Sequence, residues 1–447
     1  MLRTLLLPTV CAALGGAVFL HAEDARADCP WTVRGKLKVD HRLSELASKF
    51  DKSALANVQV RVSAKEKVMG VWGTWNAWPT VRTGSDGAFS VSATKNCDGR
   101  RFKIEVKFQD DDLEVRHEHS TSSVEKVKWY TILDESSGEH AAGTTDVGDK
   151  IFSANGALDL DEDEPWAHAD IWVLYRMAIA KAASFGSEFA FSGQVAVKYP
   201  HNSDVAPDDV EASYCNPTTK VIYIFRSNDG SEDHFDTDAL LHELGHRWAY
   251  NHTSGEICLT ETLLLQGSTH GLVGDSCVAF HEGFAAYFDD EMGRALFGGT
   301  KALPFARPTI NDGLPGSATA ITSESLMQRH DMGWWSVFHT LSTPLLHKYD
   351  FGTSSSSTPA DRIATLAAIP VGCSSPDISF PEVLSVFNPG NGFTAAISRQ
   401  ELTIEGFLER AAARLADIDA AQGELIESLV DPASSVQPRS GLCEGGK

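Results

Sequence analysis

The apolar residues of this chain first change period between Ile132 and Trp166, and that change limits what the chain can fold into. Before it, residues 31–39, 57–63, 88–92 and 102–108 alternate apolar and polar side chains. A period of two is what half-buried β-strands require. Ser85-Asp86-Gly87 supplies a tight turn between two of these runs, because glycine tolerates positive φ. Short strands at this spacing predict a small β-sandwich over 28–133. After the change, Ile171, Leu174, Tyr175, Ala178 and Ile179 recur on one helical face with Pro165 at its start. Two further strand runs, 193–199 and 220–225, precede a series of helical patterns that includes Ile404, Phe407, Leu408, Ala411 and Leu415. The expectation is a multidomain chain. An N-terminal all-β sandwich (28–133) and an acidic linker (134–165) lead into an α+β domain (166–431) with a mainly helical C-terminal half. A flexible tail (432–447) ends it. The polar stretch 134–149 carries the linker reading.

The first residues place Arg3 before an apolar run and end in Ala25-Arg26-Ala27. That is the pattern of a cleavable export signal over 1–27. The run is interrupted by Pro8, Gly15 and Gly16 and falls short of the ~20 residues of a spanning helix. The mature chain is therefore expected to be secreted, extracellular or periplasmic, with no integral membrane segment. With 38 basic against 61 acidic residues, the formal net charge of −23 argues against a nucleic-acid partner or an anionic membrane surface. Of the eight cysteines, Cys11 lies in the signal. Cys29, Cys97, Cys215, Cys258, Cys277, Cys373 and Cys443 form no two-residue-spaced pair, so in an exported chain they are disulfide candidates before metal ligands. Proximity favours Cys29 with Cys97 and Cys258 with Cys277, and the odd count leaves a thiol over.

Chemistry concentrates in His242-Glu-Leu-Gly-His246. Asp236 and Thr237 are N-cap candidates for a helix over 238–250, with Leu240, Leu241, Leu244 and Trp248 available for burial. Two histidines four apart lie one turn apart on one face, which suits two nitrogens on one metal ion. Glu243 is placed to reach a water at the metal rather than the metal itself, as a general base must. Gly245 costs helix stability, so its presence predicts close packing beside the motif. A third ligand is needed. Downstream, 280–288 reads Phe-His-Glu-Gly-Phe-Ala-Ala-Tyr-Phe, with Phe280, Phe284, Ala285 and Phe288 spaced for an apolar helix face and Glu282 as the carboxylate it carries. Glu261 and His270 are rival ligands, but both fall in a loop.

His242-Glu-Leu-Gly-His246 and Glu282-Gly-Phe-Ala together resemble the gluzincin zinc metallopeptidases, over about Trp166 to His347. The resemblance implies a thermolysin-like zincin fold, one catalytic zinc on His242, His246 and Glu282, and Glu243 as general base. A protein or peptide is the implied substrate. His281 stands where that family usually has asparagine, and the glycine-rich aminopeptidase signature is absent, so an endopeptidase is favoured. Ala286 stands where thermolysin-like members carry an aspartate that orients a ligand histidine. The family also implies a donor to the transition-state oxyanion, for which His330, His339 and Tyr349 are the candidates. The N-terminal segment is similar to transthyretin-like or carboxypeptidase-regulatory sandwiches, through Gly35, 58–60 and 83–89. Structural calcium at the alternating carboxylates of 159–164 lacks a complete loop motif. Two rival functions stand beside the peptidase: a non-catalytic binding or adhesion protein on a peptidase fold, and a zinc hydrolase of a non-peptide bond.

Overall fold

The computed structural model describes residues 28–68, 70–117, 127–135, 138–153, 165–201, 213–225, 236–253, 276–298, 309–311, 318–320, 331–341, 378–388, 403–418 and 420–430. The chain starts with β1 (Asp28–Val39), α1 (Ser44–Lys49), β2 (Ser53–Ala54), β3 (Gln59–Val68), β4 (Val71–Trp72), β5 (Asn76–Ala77) and β6 (Val81–Arg82). Then come β7 (Ala88–Asn96), β8 (Arg100–Lys107), β9 (Leu113–Arg116), β10 (Tyr130–Asp134) and β11 (Gly143–Phe152). Helix α2 (Pro165–Phe185) and a 3-10 turn at Ser187–Phe189 precede β12 (Val195–His201), β13 (Tyr214–Cys215) and β14 (Val221–Phe225). The rest is largely helical: α3 (Thr237–His252), α4 (Ser276–Phe297), the hairpin strands β15 (Thr309–Asn311) and β16 (Ala318–Ala320), α5 (Asp331–Leu341), α6 (Phe380–Ser385), α7 (Ile404–Ala416) and α8 (Ala420–Val430). Mixed sheets and helices are thus both present, and the expected switch of period is real.

Two sheets form the N-terminal region. In one, β1 pairs with β11 in parallel and with β2 and β7 antiparallel. In the other, β8 lies between β10 and β3, and β3 carries the short strands β4, β5 and β6. The alternation places Val60, Val62, Phe102, Ile104 and Val106 in the core, and the Trp31 and Phe102 rings meet at 6.0 Å between the two sheets. At Gly87 the turn has φ +75°, and a Cβ there would sit 2.2 Å from the Leu37 carbonyl oxygen. Only glycine fits that turn. The Cys29–Cys97 disulfide joins the start of β1 to the residue after β7, as expected from proximity.

Two features depart from the sequence expectation. The stretch read as linker contains β11, an edge strand. Its polar residues run beside β1 and pair with it through Arg34–Asp146 at 3.0 Å and Lys38–Asp149 at 2.7 Å. Polar composition there reflects an edge strand with one face in solvent, not a connector. Second, β9 leaves the N-terminal sheets and joins a third sheet of order β13-β14-β12-β9, parallel to β12 through Leu113↔Val195.

Helix α2 ties the regions together. Its Trp172 indole donates to Ala56 O at 2.9 Å, its Tyr175 hydroxyl to Leu240 O at 2.8 Å, and its Arg176 pairs with Asp110 at 2.7 Å. Behind α3 and α4, Trp248, Phe284, Phe338, Phe387 and Phe407 form an aromatic core, with Phe284 and Phe387 at 4.5 Å. Among the described residues no helix is long and apolar enough to cross a membrane. The expected signal (1–27), the carboxylates of 159–164, the loop bearing Cys258, Glu261 and His270, and the tail with Cys443 lie outside the described residues, as do His330, Tyr349 and Cys373.

Candidate metal centre

Asp236 caps α3, its side chain accepting from Ala239 N at 2.6 Å. Cap and periodicity together start the helix where the sequence placed it. Leu240, Leu241, Leu244 and Trp248 are fully buried. The helix is also clamped from outside: Trp248 Nε1 donates to Phe189 O and Arg247 Nη2 to Ser192 O, both at 2.9 Å. On α4, Phe280, Phe284, Ala285 and Phe288 form the expected buried face. Gly245 is the point of closest approach. A Cβ there would lie 3.0 Å from Phe288 Cβ and 3.1 Å from Ala285 Cα, so a side chain would wedge the two helices apart. This close approach carries Glu282 to the histidine face of α3.

The three ligand atoms form a nearly equilateral triangle. His242 Nε2 and His246 Nε2 are 3.1 Å apart, and each is 3.2 Å from Glu282 Oε2. Tetrahedral zinc with bonds of 2.0–2.1 Å has ligand-to-ligand edges of about 3.3 Å. The triangle therefore fits a small tetrahedral ion with a fourth position left over. Two imidazoles and one carboxylate suit a borderline transition-metal ion rather than calcium or magnesium, which take oxygen ligands. His242, His246 and Glu282 are also the metal-type cluster found among the described residues. Side-chain exposure falls from 15% at His242 through 10% at Glu282 to 5% at His246, so the open side of the cluster lies towards His242.

Burial alone would raise the Glu282 carboxyl. The charges of His246 and His242 and their hydrogen bonds outweigh it, and hold the group well below the usual carboxylate range. Glu243 is buried. Burial first, then the charge of Glu243, raises the Tyr175 hydroxyl and the Cys215 thiol, so the carboxylate lies near both groups.

His281 is only 2% exposed, so it is a buried group and not a surface one. Burial first, then the neighbouring His246, push its pKa down to about 3, and among the described residues neither ring nitrogen has a hydrogen-bond partner. The ring is a neutral packing element 5.0 Å from Tyr250. Among the described residues His246 Nδ1 is likewise buried without a hydrogen-bond partner. Tyr250 instead stacks on the His246 ring at 6.0 Å and 15°. The sequence reading passed over Tyr250, although its place four residues beyond His246 puts it on the ligand face.

His339 is not near the ligands. It contacts Asp290 Oδ2 at 3.1 Å, to which Trp335 Nε1 also donates at 2.9 Å. Asp290 lies eight positions past Glu282, about 12 Å along the helix. His339 is therefore a buried partner of α4 and no oxyanion donor. Cys277 is disulfide-bonded, and its expected partner Cys258 lies outside the described residues. Cys215 is a buried free thiol, held above the usual thiol range by burial and then by Glu243.

No family model and no curated protein matches the chain. Among solved structures it is similar to a 9R-lipoxygenase from Cyanothece PCC8801, at 12% identity over 35% of this chain and 25% of that one. The chain spans a quarter of that protein's length at a TM-score of 0.17, and a likeness of that size carries no argument about fold or function.

Proposed function

We propose that this chain is a secreted, zinc-dependent endopeptidase with His242, His246 and Glu282 as metal ligands and Glu243 as general base. The observation that carries the reading is the 3.1–3.2 Å triangle of ligand atoms, built by a His-Glu-x-x-His helix and a glutamate on the next helix. We read the third sheet with α2, α3 and α4 as a zincin-like catalytic domain, and the two N-terminal sheets as an accessory β-sandwich. Export through 1–27 accords with the Cys29–Cys97 disulfide, since such bonds persist in oxidising compartments.

His242, His246 and Glu282 would hold the zinc, which when bound would supply Lewis-acid activation of a water, lowering its pKa to about 7. The remaining work falls to the protein. Glu243, in a buried setting that strengthens its interaction with a nearby proton, takes the proton of the attacking water and returns it to the departing amide nitrogen. Glu282 would neutralise one unit of a bound ion's charge. The Gly245 contact keeps α3 and α4 in the register that lets three side chains meet. A base at this position favours a catalytic over a purely structural metal.

Zinc content and hydrolysis of unfolded casein, measured for the mature wild type beside Glu243→Gln, test the proposal. One zinc per chain in both, with cleavage by wild type alone, is the expected result. Zinc in both and cleavage by neither transfers the site to a binding protein or to a hydrolase of a non-peptide bond.

A further inference from the structure

A second constellation, which the metal chemistry leaves unused, lies where the N-terminal sheets meet α2. His41 Nδ1 is 2.5 Å from Asp170 Oδ1, and His41 Nε2 is 2.6 Å from Ser53 Oγ. Asp170 Oδ2 also accepts from Arg42 N at 2.9 Å. The side chains of His41 and Asp170 are both fully buried, whereas Ser53, in the two-residue strand β2 beside exposed Asp51 and Lys52, is half-buried. The order from interior to surface is acid, imidazole, hydroxyl.

In the neutral imidazole, a carboxylate 2.5 Å from Nδ1 favours the tautomer with its proton on that nitrogen, which leaves Nε2 to accept from the Ser53 hydroxyl at 2.6 Å. An interdomain clamp would need only the buried His41–Asp170 pair. The hydroxyl placed on the outer nitrogen adds what a nucleophile needs: a base in contact and an acid that orients the base.

We propose that Ser53, His41 and Asp170 form a serine-nucleophile site, separate from the metal centre, that reacts with small activated acyl compounds such as short-chain esters. In the forward step Ser53 Oγ bonds to the acyl carbon as its proton passes to His41 Nε2. The ester C–O bond then breaks, and the leaving alcohol takes that proton. A water then attacks the acyl carbon as it gives a proton to His41 Nε2, the bond from that carbon to Ser53 Oγ breaks, and Oγ takes the proton back from His41, which releases the carboxylic acid and restores the serine. No oxidant, reductant or metal takes part.

The test uses the intact mature protein, an alkyl fluorophosphonate, and peptide mass spectrometry to locate the adduct, with p-nitrophenyl acetate hydrolysis read in parallel. The expected result is an adduct at Ser53 formed roughly 10²-fold faster than at any other serine. Ser53→Ala should lose both the adduct and the ester hydrolysis while keeping its melting temperature and zinc content. Folded wild-type protein with no adduct at Ser53 overturns the proposal, and so does ester hydrolysis unchanged in Ser53→Ala. The second, Ser53→Cys, keeps a nucleophile in place and should be alkylated by iodoacetamide roughly 10-fold faster than a free thiol. An ordinary rate there counts against the proposal independently of the first variant.

Discussion

The N-terminal sheets and the helical half are held together by different means. In the sheets every strand is tied to a neighbour by backbone hydrogen bonds, a disulfide closes 68 residues of sequence, and ion pairs run from the exposed Arg34–Asp146 to the buried Arg100 with Glu66. No ladder joins α3 to α4. Their relation rests on aromatic packing, on one close approach at Gly245, and on three side chains that converge on one point. A bound ion would cross-link α3 and α4 much as Cys29–Cys97 links β1 to β7. Such a site sits where the scaffold has least redundancy, and there metal binding and local folding become one equilibrium.

That contrast can be broken from either side. The largest effect should come from His246→Ala or Glu282→Ala, each lowering zinc affinity by about 10³-fold or more in a chelator competition. Hydrogen exchange of β1 and β7 should stay unchanged in both variants. Asp170→Ala strikes the joint between the two regions, leaving His41 buried without its acid. With the His41 Nδ1–H and the Arg42 N–H both left without that acceptor, at about 1–3 kcal/mol each, a loss of about 2–5 kcal/mol in denaturant unfolding is expected. Replacing Cys29 and Cys97 by serine together should cost about 2–4 kcal/mol while leaving zinc affinity intact. Gly245→Ala should cost about 1–2 kcal/mol, because the wedge at 3.0–3.2 Å against α4 outweighs the gain in helix propensity. Unlike the disulfide variant, it should also weaken zinc binding, since it separates the ligand helices. At the small end, Arg34→Ala removes an exposed ion pair with Asp146, and no measurable change in melting temperature is expected.

Much of this was legible in the residues. The alternation of 31–39 and 102–108, the Asp236 cap, the Gly245 contact and the helix face of 280–288 are local signals, and the structure places each where its period or cap puts it. Glu282 was readable because a carboxylate on a second apolar helix is what two histidines one turn apart lack. The misses were non-local. Nothing in 143–152 states that its polar residues face partners on β1, and nothing in 113–116 states that the strand crosses to another sheet. The meeting of His41, Ser53 and Asp170 depends on a separation of 129 positions and on the docking of α2, which no periodicity encodes. His339 stays one candidate among three in the sequence, because residue type alone does not tell an oxyanion donor from the partner of a buried aspartate.

Anomalous diffraction at the zinc absorption edge, from crystals of the mature protein grown with one equivalent of zinc, tests the central claim most directly. One peak bonded to His242 Nε2, His246 Nε2 and Glu282 Oε2 is the predicted result. A peak at other residues, or none with the three side chains turned apart, would contradict it.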